Sequence, residues 1–317
     1  MNQTVKKEKT SVFVPKKENR WKPYWKNRYL FLIFLPAILY YAVFHYAPLY
    51  GIQMAFREYD FSKGILGSPW VGLQNFIDLF SFKSFCDVLR NTVLIGLYKF
   101  VWGFPMPIVF AILLNEVKNT AFKKSIQTIS YLPHFLSWVV LGGVFTQLLS
   151  PNGGPVNAII KGLGFNSIHF LASPKYFRTV LVCSSVWKNI GWGSIVYFAA
   201  LAGIDPQLYE ASYIDGANRF HRMWYITLPS LAPVVTIMMI MNVGTIINDD
   251  FDQIFNLYNT AVYEVADVIS TYTYRVGLVE MNYSLGTAVG LFKNVIAFIL
   301  ILTANSIAKR INDYALW

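Results

Sequence analysis

Six long apolar stretches constrain this chain more than any other feature of its sequence. They cover residues 29–56, 91–115, 125–150, 179–204, 223–248 and 281–308. Each is long enough to cross the hydrocarbon core of a bilayer, which needs about 20 mostly apolar residues. Backbone groups in lipid must be satisfied within the protein, so runs of this length are expected to be helices. The sequence therefore predicts an all-α, polytopic membrane protein with six transmembrane helices.

The basic residues predict the orientation of these helices. Only 14% of the chain is charged, against about 25% in soluble domains, and the net charge of +10 comes mainly from residues at the ends of the apolar stretches. This placement argues against a nucleic-acid partner. With the N-terminus inside, sixteen of the 27 Lys and Arg fall on the cytoplasmic side and eight outside, so both termini are predicted to be cytoplasmic.

The same pattern divides the chain into three parts. Residues 1–28 form a basic tail that is expected to be disordered and to contact anionic membrane lipid. Residues 29–308 form the six-helix transmembrane domain, and residues 309–317 a short cytoplasmic tail. The two cysteines have no spacing that indicates a disulfide framework or a metal site.

A cytoplasmic segment between the fourth and fifth stretches, residues 205–229, has clear helix signals. Asp205 suits the N-cap and Pro206 the first turn of a helix. Gly216 permits the positive φ that closes such a helix, and Pro229 marks entry to the next stretch. A short surface helix with small residues can dock in a groove of another protein.

The sequence of this segment resembles the EAA loop of ATP-binding-cassette (ABC) import permeases, specifically the carbohydrate family related to the maltose transporter. The residues that carry the resemblance are Glu210, Ala211, Ser212, Asp215, Gly216, Ala217, Ile226, Leu228 and Pro229. Ser212 stands where the family often has a second alanine. The resemblance implies a type I ABC importer permease fold in a bacterial cytoplasmic membrane, with residues 206–216 as the coupling helix that sits in a cleft of the ATPase subunit.

Three further segments resemble one branch of that family. Residues 251–259, 265–272 and 286–292 are similar to permeases that import oligosaccharides released from complex or acidic plant and algal polysaccharides. The branch implies an oligosaccharide substrate, with uronate-containing sugars as one class. The family also implies a second permease subunit, expected to be a different chain, two ABC ATPase subunits and an extracytoplasmic solute-binding protein.

The chain itself is not expected to be an enzyme or to hold a cofactor. It has no G-x-x-x-x-G-K-[ST] phosphate loop, so ATP and Mg²⁺ are expected on the partner ATPase. It also has no G-x-S-x-G or H-E-x-x-H motif, so no catalytic or metal-ligating residue is predicted. The main alternative is an ATP-independent secondary transporter or channel, in which the EAA-like loop would be accidental; an inactive scaffold is a further alternative.

Three lysines inside the apolar stretches, Lys99, Lys188 and Lys293, are candidates for the substrate path. A charge inside a membrane costs about 2.5–3.5 kcal/mol on insertion scales, so it is usually paired or faces water. The lysines either snorkel or pair with the acidic residues near position 250, or they line an electropositive cavity suited to uronate carboxylates. Other path candidates, which could stack on or hydrogen-bond to sugar rings, are Trp187, Asn189, Trp192, Tyr197 and Asn242.

Overall fold

The computed structural model of the protein describes residues 27–312, and every regular element in that part of the chain is helical. The α-helices are α1 Arg28–Tyr41, α2 Gly64–Gly67, α3 Gln74–Ser81, α4 Lys83–Gly103, α5 Pro105–Asn115, α6 Thr120–Tyr131, α7 Trp138–Leu148, α8 Pro155–Gly162, α9 Pro174–Ala202, α10 Pro206–Ile214, α11 Arg219–Arg222, α12 Leu228–Val243, α13 Phe251–Leu257, α14 Tyr263–Ala266, α15 Ile269–Tyr274 and α16 Tyr283–Asn312. The all-α prediction is therefore confirmed.

The chain divides into two compact units, one ending at Gly51 and one beginning at Ile52. In the first unit α1 begins at Arg28, one residue before the predicted boundary, and the first 26 of the 28 residues of the predicted tail lie outside the described residues. At the other end α16 continues to Asn312, so part of the predicted C-terminal tail is helical and the rest lies outside the described residues.

Four helices in the described part of the chain are long and apolar enough to cross a membrane. They are Arg28–Phe56, Lys83–Asn115, Arg219–Ile246 and Tyr283–Arg310. These correspond to the first, second, fifth and sixth predicted spans. The other two predicted spans differ from the expectation, so the structure supports four or five spans by this criterion where the sequence predicts six.

The third predicted span, residues 125–150, is broken. A 3₁₀ turn, Leu132–Phe135, follows α6, and the chain bends by 106° before α7 begins. Pro133 lies in this turn, and Ser137 has extended backbone angles and caps α7 by accepting a hydrogen bond from the Val140 amide. The bend, called the elbow below, comprises residues 132–137.

The fourth predicted span is the helix α9, which begins five residues earlier than predicted and has 29 residues. It is long enough to cross a membrane but is not among the helices that are also apolar enough. Its buried face includes Ser184, Lys188 and Ser194. A helix that packs among other helices can carry such polar groups when they find partners there.

Helix α9 is the centre of the second unit, with α4, α5, α6 and α12 packed around it. Two glycines permit close helix contacts: a Cβ on Gly191 would lie 2.2 Å from the Ser130 carbonyl oxygen, and one on Gly96 would lie 1.9 Å from that of Ile246. The core contains apolar clusters, such as one that includes Ile95, Trp138 and Phe177.

Hydrogen bonds fasten the predicted outer segment between α13 and α16 to this centre. Asn91 donates to the carbonyl oxygens of Glu264 and Asp267, and Arg178 donates to the side-chain oxygen of Asn91. Within the segment Arg275 donates to Asp267, and this bond raises the pKa of the guanidinium. The segment is therefore held in position, and its residues Ser270, Thr273 and Tyr274 line the aromatic groove described below.

Candidate functional site

The predicted helix in the loop at 205–229 is present as α10. Asp205 accepts a hydrogen bond from the Gln207 amide at 2.9 Å and Pro206 occupies the first turn, as the sequence predicts. The helix ends two residues earlier than expected, at Ile214, and Gly216 follows with φ of 74°. The amide of Ala217 then donates to the Ser212 carbonyl oxygen at 2.9 Å, which closes the C-terminal turn.

Helix α10 projects from the rest of the unit. None of its nine residues is buried, and three large side chains are open to solvent: Leu208 is 49% exposed, Tyr213 65% and Ile214 88%. Glu210 and Ala211 are exposed as well, and Ser212 is half-buried. Exposed apolar residues on a short, capped helix of a predicted cytoplasmic loop are typical of a docking surface for another protein.

Two side-chain contacts attach α10 to the segment that leads into α12. The guanidinium of Arg222, a buried residue, lies 3.8 Å from the ring centroid of Tyr213. The hydroxyls of Tyr209 and Thr227 lie 3.0 Å apart. Both contacts join α10 to the turns between Arg219 and Thr227, which lead directly into α12.

The remaining predicted loop residues fall in two places. A surface cleft of about 440 Å³ brings Asp215, Gly216 and Ala217 together with Ile226. Leu228 and Pro229 lie instead in the first turn of α12, where Leu228 packs against a buried apolar cluster. The last two residues therefore form part of the transmembrane helix rather than the exposed loop.

A polar cavity of about 270 Å³ lies between α4, α9 and the residues that follow α12. It brings together Lys99, Asn189 and Asn242, three of the predicted path residues. Gly103 also lines it, and a Cβ there would meet no atom within 4 Å. The remaining polar lining residues are Ser185, Thr245, Asn248, Asp249 and Asp250.

The predicted pairing of lysines with the acidic residues near position 250 holds for one of the three lysines. Lys293 forms an ion pair with Asp249 at 2.9 Å. Lys188 instead donates to backbone carbonyl oxygens of the elbow, those of Pro133, His134 and Leu136. The Nζ of Lys99 is buried and has no hydrogen-bond partner in the described part of the chain.

The predicted aromatic residues do not gather at this cavity. Trp192 stacks on His134 of the elbow, with centroids 4.6 Å apart and an interplanar angle of 2°. Trp187 packs edge-on against Phe145. Tyr197 is buried in an apolar cluster between α5, α9 and α12. None of these three aromatic residues lines the cavity.

An aromatic groove that the sequence analysis did not identify lies beside the cavity, with a volume of about 570 Å³. Phe251, Tyr274 and Tyr283 line it together with Ser270 and several glycines and threonines. Lys293 also lines this groove whereas Asp249 lines the polar cavity, so their ion pair lies between the two. The available sequence signal is the run of tyrosines and small residues at 272–290, which covers the end of the segment between the fifth and sixth predicted spans and the start of the sixth.

Trp138 was also missed. Its indole Nε1 donates to Asp250 at 2.7 Å, which ties the start of α7 to the cavity wall. A buried tryptophan N–H usually has a hydrogen-bond partner. The sequence signal for such a partner was the acidic pair at 249–250, which directly follows an uncharged span.

Comparison with known proteins gives concordant results. The family described as "Binding-protein-dependent transport system inner membrane component" matches residues 103–314. The polygalacturonan/rhamnogalacturonan transport system permease protein YteP of Bacillus subtilis (strain 168) is 40% identical over 292 residues, covering 92% of this chain and 91% of that protein.

Solved structures are similar over the same length. The crystal structure of a bacterial ABC transporter involved in import of the acidic polysaccharide alginate contains a chain that is 38% identical, with a TM-score of 0.86, covering 92% of this chain and 99% of that one. A second structure of a bacterial alginate ABC transporter, in complex with a periplasmic protein bound to an alginate pentasaccharide, gives 37% identity and a TM-score of 0.87, covering 94% and 100%.

Proposed function

The chain belongs to the family of inner-membrane components of binding-protein-dependent transport systems, and from this membership we propose that its cargo is an acidic oligosaccharide. It is a permease subunit of an ABC importer for oligosaccharides, and ATP is hydrolysed by a separate subunit. It works with a second permease, ATPase subunits and a solute-binding protein.

The acidic character of the cargo is inferred from the relatives. One is named for transport of polygalacturonan and rhamnogalacturonan, and the solved structures belong to alginate importers. These polysaccharides share sugar units that carry a carboxylate. The cavity between α4 and α9 is lined by amide side chains, one lysine and two aspartates; the amides and aspartates suit sugar hydroxyls, and the lysine suits a carboxylate.

The attachment of α10 supports a role in coupling, and it is the observation that carries the mechanism. This helix exposes apolar side chains and is fixed to the start of α12 by Tyr209 and Tyr213. In the proposed mechanism α10 docks on the ATPase, and closure of the ATPase pair displaces α10 and the helices attached to it. The cavity then alternates between the two sides of the membrane as a rigid-body exchange.

The proposed topology places both termini in the cytoplasm. The excess of basic residues on that side supports it, and it puts α10 on the side where ATP is available. No ATP or Mg²⁺ is assigned to this chain; both belong to the ATPase subunit.

The docking role is tested with a charge on the exposed tip of α10. Ile214→Asp is expected to abolish co-purification of the ATPase, because Ile214 is 88% exposed and a carboxylate is costly in an apolar interface. Ile159→Asp is the matched control, since Ile159 is also exposed, at 66%, on the short helix α8 of a predicted outer loop. The measurement is pull-down of the detergent-solubilised importer with quantitation of all subunits.

Three outcomes are informative. Loss of the ATPase with Ile214→Asp alone, with the second permease retained, supports docking through α10. Retention of the ATPase in both variants would contradict that role. Uptake of sugar that continues without any ATPase would favour the alternative of an ATP-independent transporter.

A further inference from the structure

Lys99 lies in the transmembrane helix α4 with its Nζ buried and without a hydrogen-bond partner among the described residues. An ammonium group has three donors and no acceptor. A charge that is withdrawn from water and left unpaired destabilises a membrane protein by several kcal/mol. Such a group is expected to have a partner at some stage of the functional cycle.

The two nearby carboxylates do not provide that partner. Asp249 accepts from Lys293 at one oxygen, at 2.9 Å, and from the Ser270 amide at the other, at 3.1 Å. Asp250 accepts from Trp138 at one oxygen, at 2.7 Å, and from the Gln253 amide at the other, at 3.4 Å. Each of the four carboxylate oxygens therefore accepts one hydrogen bond from a group other than Lys99, and none accepts one from Lys99.

The other two membrane lysines differ from Lys99 in this respect. Lys293 has its ion pair with Asp249, and Lys188 has three carbonyl acceptors in the elbow. Both are satisfied by the protein itself, so neither needs a ligand. Of the three lysines predicted for the substrate path, only Lys99 faces the cavity with free donors.

The cavity around Lys99 can accept a sugar acid. Asn242 and Asn248 place amide groups in its wall, and Gly103 leaves space where any other residue would have a side chain. A volume of about 270 Å³ lies just below the range of about 300–1,000 Å³ that is typical of ligand pockets, so the cavity fits only a short portion of an oligosaccharide. Asp249 and Asp250 interact electrostatically with Lys99, which opposes very tight anion binding, and a transported ligand must also be released.

We propose that Lys99 binds the carboxylate of the transported oligosaccharide and thereby sets the preference of the importer for acidic over neutral sugars. This proposal rests on the proposed acidic cargo. It assigns the selectivity to one residue and excludes Lys188 and Lys293 from direct contact with the carboxylate.

The test uses the complete importer with its solute-binding protein in proteoliposomes, and compares an oligogalacturonate with its methyl-esterified, uncharged counterpart. Lys99→Met is expected to reduce uptake of the acidic sugar by about tenfold or more relative to the ester, the effect of losing one charge-assisted hydrogen bond. Lys99→Arg keeps the charge and is expected to retain the acidic preference. Direct assays of the solute-binding protein with each sugar correct for its own selectivity.

A second measurement separates binding from a structural role. Because Lys99 makes no hydrogen bond with any residue that the structure describes, Lys99→Met is expected to leave the melting temperature of the ligand-free complex unchanged or raised. A lowered melting temperature for both Lys99→Met and Lys99→Arg, with parallel losses for both sugars, would overturn the proposal. Equal ratios of acidic to esterified uptake in wild type and Lys99→Met would overturn it as well.

A different result would contradict the proposed function. If the wild-type importer takes up no acidic oligosaccharide, the assignment of the cargo is wrong and the role of Lys99 falls with it. If wild type imports the acidic sugar and Lys99→Met does so equally well, only the role of Lys99 is wrong.

Discussion

The three lysines that lie inside predicted apolar stretches have three different environments in the structure. Lys293 is paired with a carboxylate, Lys188 is surrounded by backbone carbonyl oxygens, and Lys99 has no partner in the described residues. The difference comes from what each helix packs against. A lysine in an apolar stretch therefore indicates that a partner is needed, but not which kind.

The environment of Lys188 predicts a structural role. Lys188→Met leaves the carbonyl oxygens of the elbow without their donor, and an unsatisfied buried polar group costs about 1–3 kcal/mol. We expect a lowered melting temperature of the purified complex and reduced uptake of acidic and neutral sugars alike. Lys161→Met, at an exposed position in α8, is the matched control.

The lowered melting temperature and the equal loss of both sugars expected for Lys188→Met are opposite to the results expected for Lys99→Met. A Lys188→Met variant that melts like wild type and loses only acidic transport would contradict the structural role and return Lys188 to the substrate path.

At the scale of elements, α10 is a short helix with two side-chain attachments, and its C-terminal turn depends on Gly216. The φ of 74° at this glycine costs other residues about 1–2 kcal/mol. Gly216→Ala is therefore expected to displace the end of α10 and lower substrate-stimulated ATP hydrolysis by about five- to thirtyfold if the full cost falls on the docked state.

The matched control is Gly203→Ala, a few residues before α10. Gly203 has φ of −88°, and an added Cβ would be 3.5 Å from the nearest atom, so activity close to wild type is expected. Equal behaviour of the two variants in the ATPase assay would argue against strain at Gly216 as a determinant of coupling.

The start of α10 and the glycine turn that closes it could be predicted from sequence because they depend on local signals, namely Asp205, Pro206 and Gly216, whereas the last helical residue lies two positions earlier than expected. The break in the third span was missed although Pro133 and Ser137 were visible, because the run contains no Asp, Glu, Lys or Arg and hydropathy does not register a change of direction. The elbow is held by Lys188, Asn189 and Trp192, which come from a distant helix. Three of the predicted path residues, Lys188, Asn189 and Trp192, thus hold the elbow, and of these only Asn189 also lines the cavity, a distinction that only the packing reveals.

At the scale of the whole second unit, the polar cavity and the aromatic groove meet at the Asp249–Lys293 pair. The lining residues could be predicted only in part: Lys99, Asn189 and Asn242 were predicted for the substrate path, but they come from three separate stretches of the chain, and only the packing shows that they line one cavity. The glycines that shape the space carry no side-chain signal, and Gly103 is the clearest case.

Gly103 offers a way to close the cavity without disturbing the packing. Gly103→Phe is expected to reduce uptake of every sugar to background, because its side chain would enter the space that the cavity provides. Gly143→Phe is the control, since an added Cβ at Gly143 also meets no atom within 4 Å but the residue does not line the cavity. Radiolabelled uptake, with co-purification of all subunits to confirm assembly, is the measurement.

Uptake by Gly103→Phe at the wild-type level would show that the cavity is not part of the path. A loss of uptake in both Gly103→Phe and Gly143→Phe would indicate a general effect of a bulky residue in these helices.

The exposed position of α10 also has an evolutionary consequence. None of its residues is buried, and none lines the cavity or the groove. Selection for a new cargo would act on α4, α9 and the residues after α12. Selection for compatibility with the ATPase would act on the nine residues of α10. Permeases that descend from one gene can therefore change their cargo and still work with the same ATPase subunit.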